Sequence, residues 1–160
     1  MAYQESFRCV VATPTRLLFE GDVYYAEVPG YSGHYGVLKG HSSLVATNHQ
    51  GGKLVLWLDP DGNEKKEFLI HRGCSQMLHD HLAVLARFGR PIDELDLENS
   101  KRRVAELTAD IEAKEAELEG ETDEDRLAAG EAWLITERIH REWHEAKVYF
   151  LETGQEYPKQ

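Results

Sequence analysis

Residues 6–86 carry their apolar side chains in short runs of period two, punctuated by glycine, proline and aspartate. Residues 6–12 have a β-branched and aromatic bias and are closed by Thr13-Pro14. Residues 17–20 follow, and Gly21-Asp22 allows a bend or bulge. Over residues 23–28 the side chains alternate, with Val23, Tyr25 and Glu27 on one face and Tyr24, Ala26 and Val28 on the other. Residues 43–48 and 53–58 read as short strands separated by Gly51-Gly52. Asp59-Pro60-Asp61-Gly62-Asn63 is a strong turn signal before a hairpin partner at 64–70. Residues 74–78 and 82–86 flank a turn at His79-Asp80-His81. Many short strands without a helical period predict an all-β sandwich or barrel.

From Asp93 the period changes. Val104, Leu107, Ile111 and Leu118 follow the three-and-four spacing of a helix seam, with charge on the other faces. Gly120 is placed to end this helix as its C′ residue. Thr122, with Asp125 three residues on, resembles a capping box that opens a second helix. That helix runs through Leu127, Leu134, Ile135, Ile139, Trp143 and Ala146 to about Leu151, with Gly154 beyond its end. The predicted architecture is therefore β + α, an N-terminal β-sandwich over residues 1–92 and a C-terminal antiparallel two-helix hairpin over 93–153. Residues 154–160 are expected to form a flexible tail.

Charge sharpens this boundary. Residues 1–92 hold 9 acidic and 9 basic side chains, so the whole formal charge of −11 falls in residues 93–160. An acidic balance of this kind argues against nucleic acid, whose phosphates need a basic footprint. No apolar run approaches the roughly 20 residues of a membrane helix. The start lacks the basic and apolar regions of a signal peptide, so a cytosolic protein is expected. Cys9 and Cys74 lie in apolar strand-like segments without Cys-x-x-Cys spacing, and are expected to be buried, reduced thiols.

The candidate chemistry centres on residues 28–41, where Gly30, Gly33 and Gly36 recur every third position between two apolar runs. Such a segment reads as a long ordered loop, and loops of that kind tend to carry function. Gly30-Tyr31-Ser32-Gly33-His34 approaches a nucleophile elbow, but His34 replaces its last glycine and no helix follows. The glycines match neither a dinucleotide fingerprint nor a Walker loop. His79 and His81 bracket a turn, while His140 and His144 share a helix face near Glu137; a metal site needs a third or fourth ligand aimed at the same point, and spacing alone names none. Trp133 and Trp143 are read as packing residues before partner anchors.

Phe7, Thr13-Pro14, Phe19-x-Gly21 and Val23 precede Pro29-Gly30-x-x-Gly33-x-x-Gly36-Val37-Leu38-x-x-His41-x-x-Leu44. Gly73, Ala83-Val84-Leu85-Ala86 and Ile92-Asp93 continue the pattern, and the helical hairpin follows. Together these residues resemble the epsilon subunit of F-type ATP synthases. The resemblance implies a sandwich of about ten strands and a non-catalytic rotor subunit of the central stalk. Such a subunit binds gamma, meets the c-ring, couples proton flow to ATP synthesis and sits peripherally on the cytoplasmic face of the cell membrane. Residue by residue, it carries the c-ring contact to Tyr31, Ser32 and His41, with His34 as a neighbour. It also implies that the helices can reach the alpha/beta catalytic head and restrain hydrolysis through basic side chains that meet an acidic segment of the beta subunit. Here Arg138, Arg141 and Lys147 are the candidates for a local basic stripe, against a net charge of −11 over residues 93–160.

The sequence departs from the family pattern at three places. Ser43 stands where a proline is common, and Arg72 where the first of two glycines is usual. In the stretch Leu95-Asp96-Leu97-Glu98-Asn99-Ser100, Asn99 and Ser100 replace the arginine and alanine of an ATP-binding motif. Loss of that cation predicts weak or absent ATP binding, and no other cofactor is expected. Two rival readings stay open at this level: a free-standing β-domain and hairpin acting as an adaptor, and a histidine-dependent metal hydrolase.

Overall fold

The computed structural model describes residues 5–159; residues 1–4 and 160, which belong to the predicted sandwich and tail, lie outside the described residues. The described residues form two compact units, one comprising residues 5–95 with 156–159 and the other residues 96–155.

The first unit contains ten strands: β1 (Phe7–Ala12), β2 (Leu17–Val23), β3 (Tyr25–Gly30), β4 (Gly33–Val37), β5 (Leu44–Thr47), β6 (Gln50–Trp57), β7 (Lys65–His71), β8 (Cys74–Leu78), β9 (His81–Leu85) and β10 (Phe88–Pro91). They form two five-stranded sheets of order β2-β1-β9-β8-β5 and β10-β7-β6-β3-β4. All pairings are antiparallel except β1 with β9. Period-two alternation buries one face of each sheet, with Phe7, Cys9 and Val11 of β1 and Leu54 and Leu56 of β6 in the same core as Phe68, Ile70 and Met77. Removing this apolar surface from water, at roughly 25 cal/mol per Å², is the main term holding the sheets together.

Several predicted boundaries shift for local reasons. The strand expected over 23–28 is divided at Tyr24, so Val23 ends β2 and Tyr25 begins β3. Gly51-Gly52 does not separate two strands; it lies inside β6, at a register shift where β6 faces β7. A Cβ on Gly52 would sit 2.4 Å from Pro29 Cβ, so the glycine admits the proline ring. The expected turn at 79–81 is present, with His79 at φ 49° and Asp80 at φ 59°. Cys9 is buried, and burial pushes its thiol pKa up to about 12, but Cys74 is exposed because β8 turns it to the outer face.

After a 3-10 turn at Ile92–Glu94, the second unit consists of α1 (Leu97–Leu118) and α2 (Glu124–Thr153). Asp96 caps α1 by accepting the Asn99 N–H at 2.8 Å. Asp123, not Thr122, caps α2 by accepting the Arg126 N–H at 3.0 Å. Gly120, at φ 86°, follows the α1 C-cap as expected, and Gly154 closes α2 at φ 70°. The helices run antiparallel: Gly130 meets Leu118, and Lys101 pairs with Glu152 at 2.8 Å. Leu107, Ile111, Leu134, Trp143 and Ala146 are buried, whereas Ile135, assigned to the seam from spacing, is 59% exposed.

Candidate functional site

The glycine-rich segment is not a long loop. Gly30 pairs with Gly33 across a two-residue tip made of Tyr31 and Ser32, and β3 and β4 run back from it as an antiparallel hairpin. Gly33 has φ 141°, and a Cβ on Gly30 would lie 2.7 Å from the Gly33 carbonyl oxygen, so the tip closes only with glycine at both positions. Further along, Gly36 makes room for the Tyr25 ring, which a Cβ would meet at 2.9 Å.

This geometry separates the predicted site residues. Tyr31, 45% exposed, and Ser32 occupy the hairpin tip, where the Tyr31 N–H donates to the Thr47 carbonyl at 2.8 Å. His41 lies past the opposite end of β4, a strand about 17 Å long at 3.4 Å per residue. There its N–H donates to the Leu38 carbonyl at 3.1 Å and Gly40 N–H donates to the Asp80 carboxylate at 2.7 Å. His41 Nδ1 lies 2.7 Å from the Ser42 carbonyl oxygen, which can only accept, so Nδ1 carries the proton. The structure therefore groups Tyr31, Ser32 and His34 and leaves His41 apart.

His34, on β4, is more engaged than its sequence context suggests. Its Nδ1 lies 3.0 Å from Glu27 Oε1 and its Nε2 lies 2.7 Å from Glu156 Oε1. Glu27 is its diagonal neighbour on the outer face of the sheet, since Pro29 stands directly opposite His34. Glu156 comes from the segment expected to be a flexible tail, which instead lies on the β-unit. Glu156 also accepts the Lys53 N–H at 2.8 Å, Tyr157 N–H points to the Gly51 carbonyl at 3.5 Å, and Lys159 Nζ stands 5.0 Å over the Tyr31 ring.

The Lys53 amide is available for a local reason. β3 pairs with β6 only as far as Glu27 with Val55. Two residues on, Pro29 has no N–H to offer, and its carbonyl is taken by the His49 N–H at 2.8 Å. The two strands part there, and a carboxylate from the chain end satisfies the amide. His49 is buried beside this junction, and burial lowers its pKa; Glu156 opposes the shift, while Lys159 and His34 add to it. Sequence reasoning missed Glu27, Lys53, Glu156 and Lys159; the one local signal was Pro29 inside a strand pattern, which marks a missing donor.

On α2 the predicted basic stripe is not one face. Lys147, nine residues after Arg138, is turned about half a revolution from it at 100° per residue. Arg138 donates to Glu115 of α1 at 2.5 Å, Arg141 is 3.5 Å from Glu145, and Lys147 is buried with its ammonium 5.2 Å over the Trp143 ring. Trp143 is buried, while Trp133 is 37% exposed beneath the Lys114 ammonium. In the stretch matched to an ATP motif, the Ser100 hydroxyl donates to the Asp96 carbonyl at 2.6 Å and Asn99 accepts from Arg102 at 2.6 Å, so both are built into the start of α1.

Among the described residues no three His, Cys, Asp or Glu side chains gather to hold a metal ion. His140 and His144 approach to 3.3 Å between their Nε2 atoms. Among the same residues, no helix is long and apolar enough to cross a membrane.

Residues 6–89 match the family model of the ATP synthase delta/epsilon chain β-sandwich domain. The chain is 35% identical over 115 residues to an ATP synthase epsilon chain 1 of Nitrobacter hamburgensis, covering 72% of this chain and 79% of that one. It is 30% identical, at the same coverage, to an ATP synthase epsilon chain of Nitrobacter winogradskyi. Among solved structures, a chain of the Euglena gracilis mitochondrial ATP synthase (OSCP/F1/c-ring) shares the fold with a TM-score of 0.55 at 19% identity, covering 91% of this chain and 81% of that one. The two sheets, their glycine-closed hairpin and these relatives together place the chain in the delta/epsilon family of ATP synthases, among its epsilon chains.

Proposed function

We propose that this chain is a non-catalytic central-stalk subunit of a proton-translocating F-type ATP synthase, joining gamma to the c-ring and coupling ion flow to ATP synthesis. The observation that carries this reading is the match of the ten-stranded sandwich to the family's β-domain, followed in order by a two-helix unit. A rotor joint needs shape, a fixed backbone and exposed polar groups, and no catalyst. The Tyr31-Ser32 tip offers these: an aromatic ring and a hydroxyl held by a glycine-closed hairpin. On this reading the protein is peripheral, reaching the cytoplasmic face of the membrane through its complex.

Co-purification with a gamma-like subunit and a c-ring tests the assignment against a free-standing adaptor, which would bring neither. Because Tyr31 and His41 lie at opposite ends of β4, single substitutions distinguish which end meets the ring. Tyr31→Ala is expected to weaken c-ring binding on the order of tenfold, as for an aromatic anchor truncated in an interface. His41→Ala is expected to stay within about twofold, as for a residue outside the contact. The opposite ranking would move the contact to the His41 end.

A further inference from the structure

We propose that residues 156–159 act as a pH-sensitive strap on the β-unit, pinned by His34 and placing Lys159 over one face of the exposed Tyr31 ring. This rests, for its functional consequence only, on the reading that the tip meets the c-ring.

Besides the Tyr157 N–H directed at the Gly51 carbonyl at 3.5 Å, three side-chain contacts define the strap, and they differ in chemistry. Glu156 Oε1 accepts the main-chain N–H of Lys53 at 2.8 Å and lies 2.7 Å from His34 Nε2, while Lys159 Nζ stands 5.0 Å over the Tyr31 ring. The acceptor is part of the sheet: the Lys53 amide is left over where Pro29 interrupts the β3–β6 ladder. A carboxylate at that point is the group a lone amide and a histidine ring would both select.

The pH dependence follows from counting protons on the ring. Nδ1 of His34 faces Glu27 at 3.0 Å and Nε2 faces Glu156 at 2.7 Å. A neutral imidazole has a single N–H and can donate to one of two carboxylates; the imidazolium donates to both. The other groups facing this ring do not change that count. Lys53 turns its ammonium to Glu67 at 2.9 Å, Lys159 is over Tyr31, and buried His49 carries a lowered pKa. Protonation of His34 therefore fastens both carboxylates at once, and deprotonation leaves Glu27 and Glu156 to compete for a single N–H, which weakens the hold on Glu156. Raising pH until the imidazolium gives up its second N–H loosens the strap and lets Lys159 leave the Tyr31 ring.

The test uses the full chain. Hydrogen exchange of the Lys53 amide, corrected for its intrinsic rate, is expected to accelerate at least about fivefold in E156Q and H34Q at about pH 5.5. In the unsubstituted protein the same acceleration is expected between about pH 5.5 and pH 8, and H34Q is expected to abolish that pH dependence. An exchange rate indifferent to both substitutions overturns the strap. Binding to a purified c-ring is then measured with E156Q and with Y31A. Faster exchange with tighter binding in E156Q supports the role of Lys159 over Tyr31. Faster exchange with unchanged binding in E156Q, when Y31A weakens binding, overturns that role and leaves the c-ring reading intact. Unchanged binding in Y31A overturns the c-ring reading, and the strap is then judged on exchange alone.

Discussion

Gly73 shows how much one missing Cβ decides. It follows Arg72, itself at φ 60°, and has φ 82°; a Cβ there would stand 2.0 Å from the Leu85 carbonyl oxygen and 2.9 Å from Ala86 Cα. Both obstacles are backbone of β9 and the residue after it, so neither yields as a side-chain end would. Asn48 braces the same corner, its amide donating to the Arg72 carbonyl at 3.1 Å and to that of Leu85 at 3.3 Å, while the Ser75 hydroxyl donates to its side-chain oxygen. Arg72, where the family usually has glycine, is thus held in a left-handed conformation by a buried amide, and the corner keeps its shape without the glycine. Gly73→Ala is expected to destabilise the protein by at least about 3 kcal/mol, in the range of overpacked and strained sites. Gly40, at φ 79° with open space around it, gives the control: Gly40→Ala meets only the left-handed cost of about 1 kcal/mol. Urea unfolding of the two variants checks the difference, and equal losses would show that the Leu85 carbonyl gives way.

Among the elements, the β6–β7 hairpin carries a pH term that can be isolated. Asp59 accepts N–H bonds from Glu64, from Asn63 at 3.2 Å and from Asp61 at 2.9 Å, and these bonds, that of Glu64 foremost, lower its carboxyl pKa. A depressed folded pKa means stability that is present above the unfolded value, near 3.9, and is lost as pH falls through the folded one. Asp59→Asn is expected to flatten the acid side of the stability-against-pH curve, measured by thermal melts between about pH 2 and pH 5. An unchanged slope would show that the turn opens independently of the sheet. This turn was readable in advance because its chemistry is local, as were the helix seam and the Gly120 stop. β4 and β10 were not: Gly33 and Gly36 dilute the strand pattern of β4, and β10 is only four residues with a glycine and a proline. Their identity as strands comes from the edges they extend, β4 on β3 and β10 on β7. The separation of Tyr31 from His41 followed from the same gap, since a loop would have let them converge and a strand holds them apart. The contact of Glu156 with Lys53 joins residues 103 apart in sequence, a distance at which no local pattern carries information.

At the scale of the whole molecule the dominant feature is unequal charge. The sandwich segment, residues 1–92, is formally neutral and residues 93–160 carry all −11. The resemblance implies that epsilon helices restrain hydrolysis by meeting an acidic segment of the beta subunit through basic side chains. Here Arg138 is already paired with Glu115, Arg141 lies beside Glu145 and Lys147 is buried, so the three do not present a common cationic face. Long-range forces between such a unit and an acidic target are repulsive, and salt screens them over about 10 Å at 0.1 M. Any restraint of hydrolysis by these helices is therefore expected to strengthen as ionic strength rises, the reverse of docking through a basic stripe. ATP hydrolysis by the reconstituted complex, compared between the full chain and residues 1–92 across about 20 to 300 mM salt, reads this directly. Restraint that weakens with salt would restore attraction through Arg138 and Arg141. Equal hydrolysis with and without residues 93–160 at every salt concentration would confine the chain's role to the joint between gamma and the c-ring.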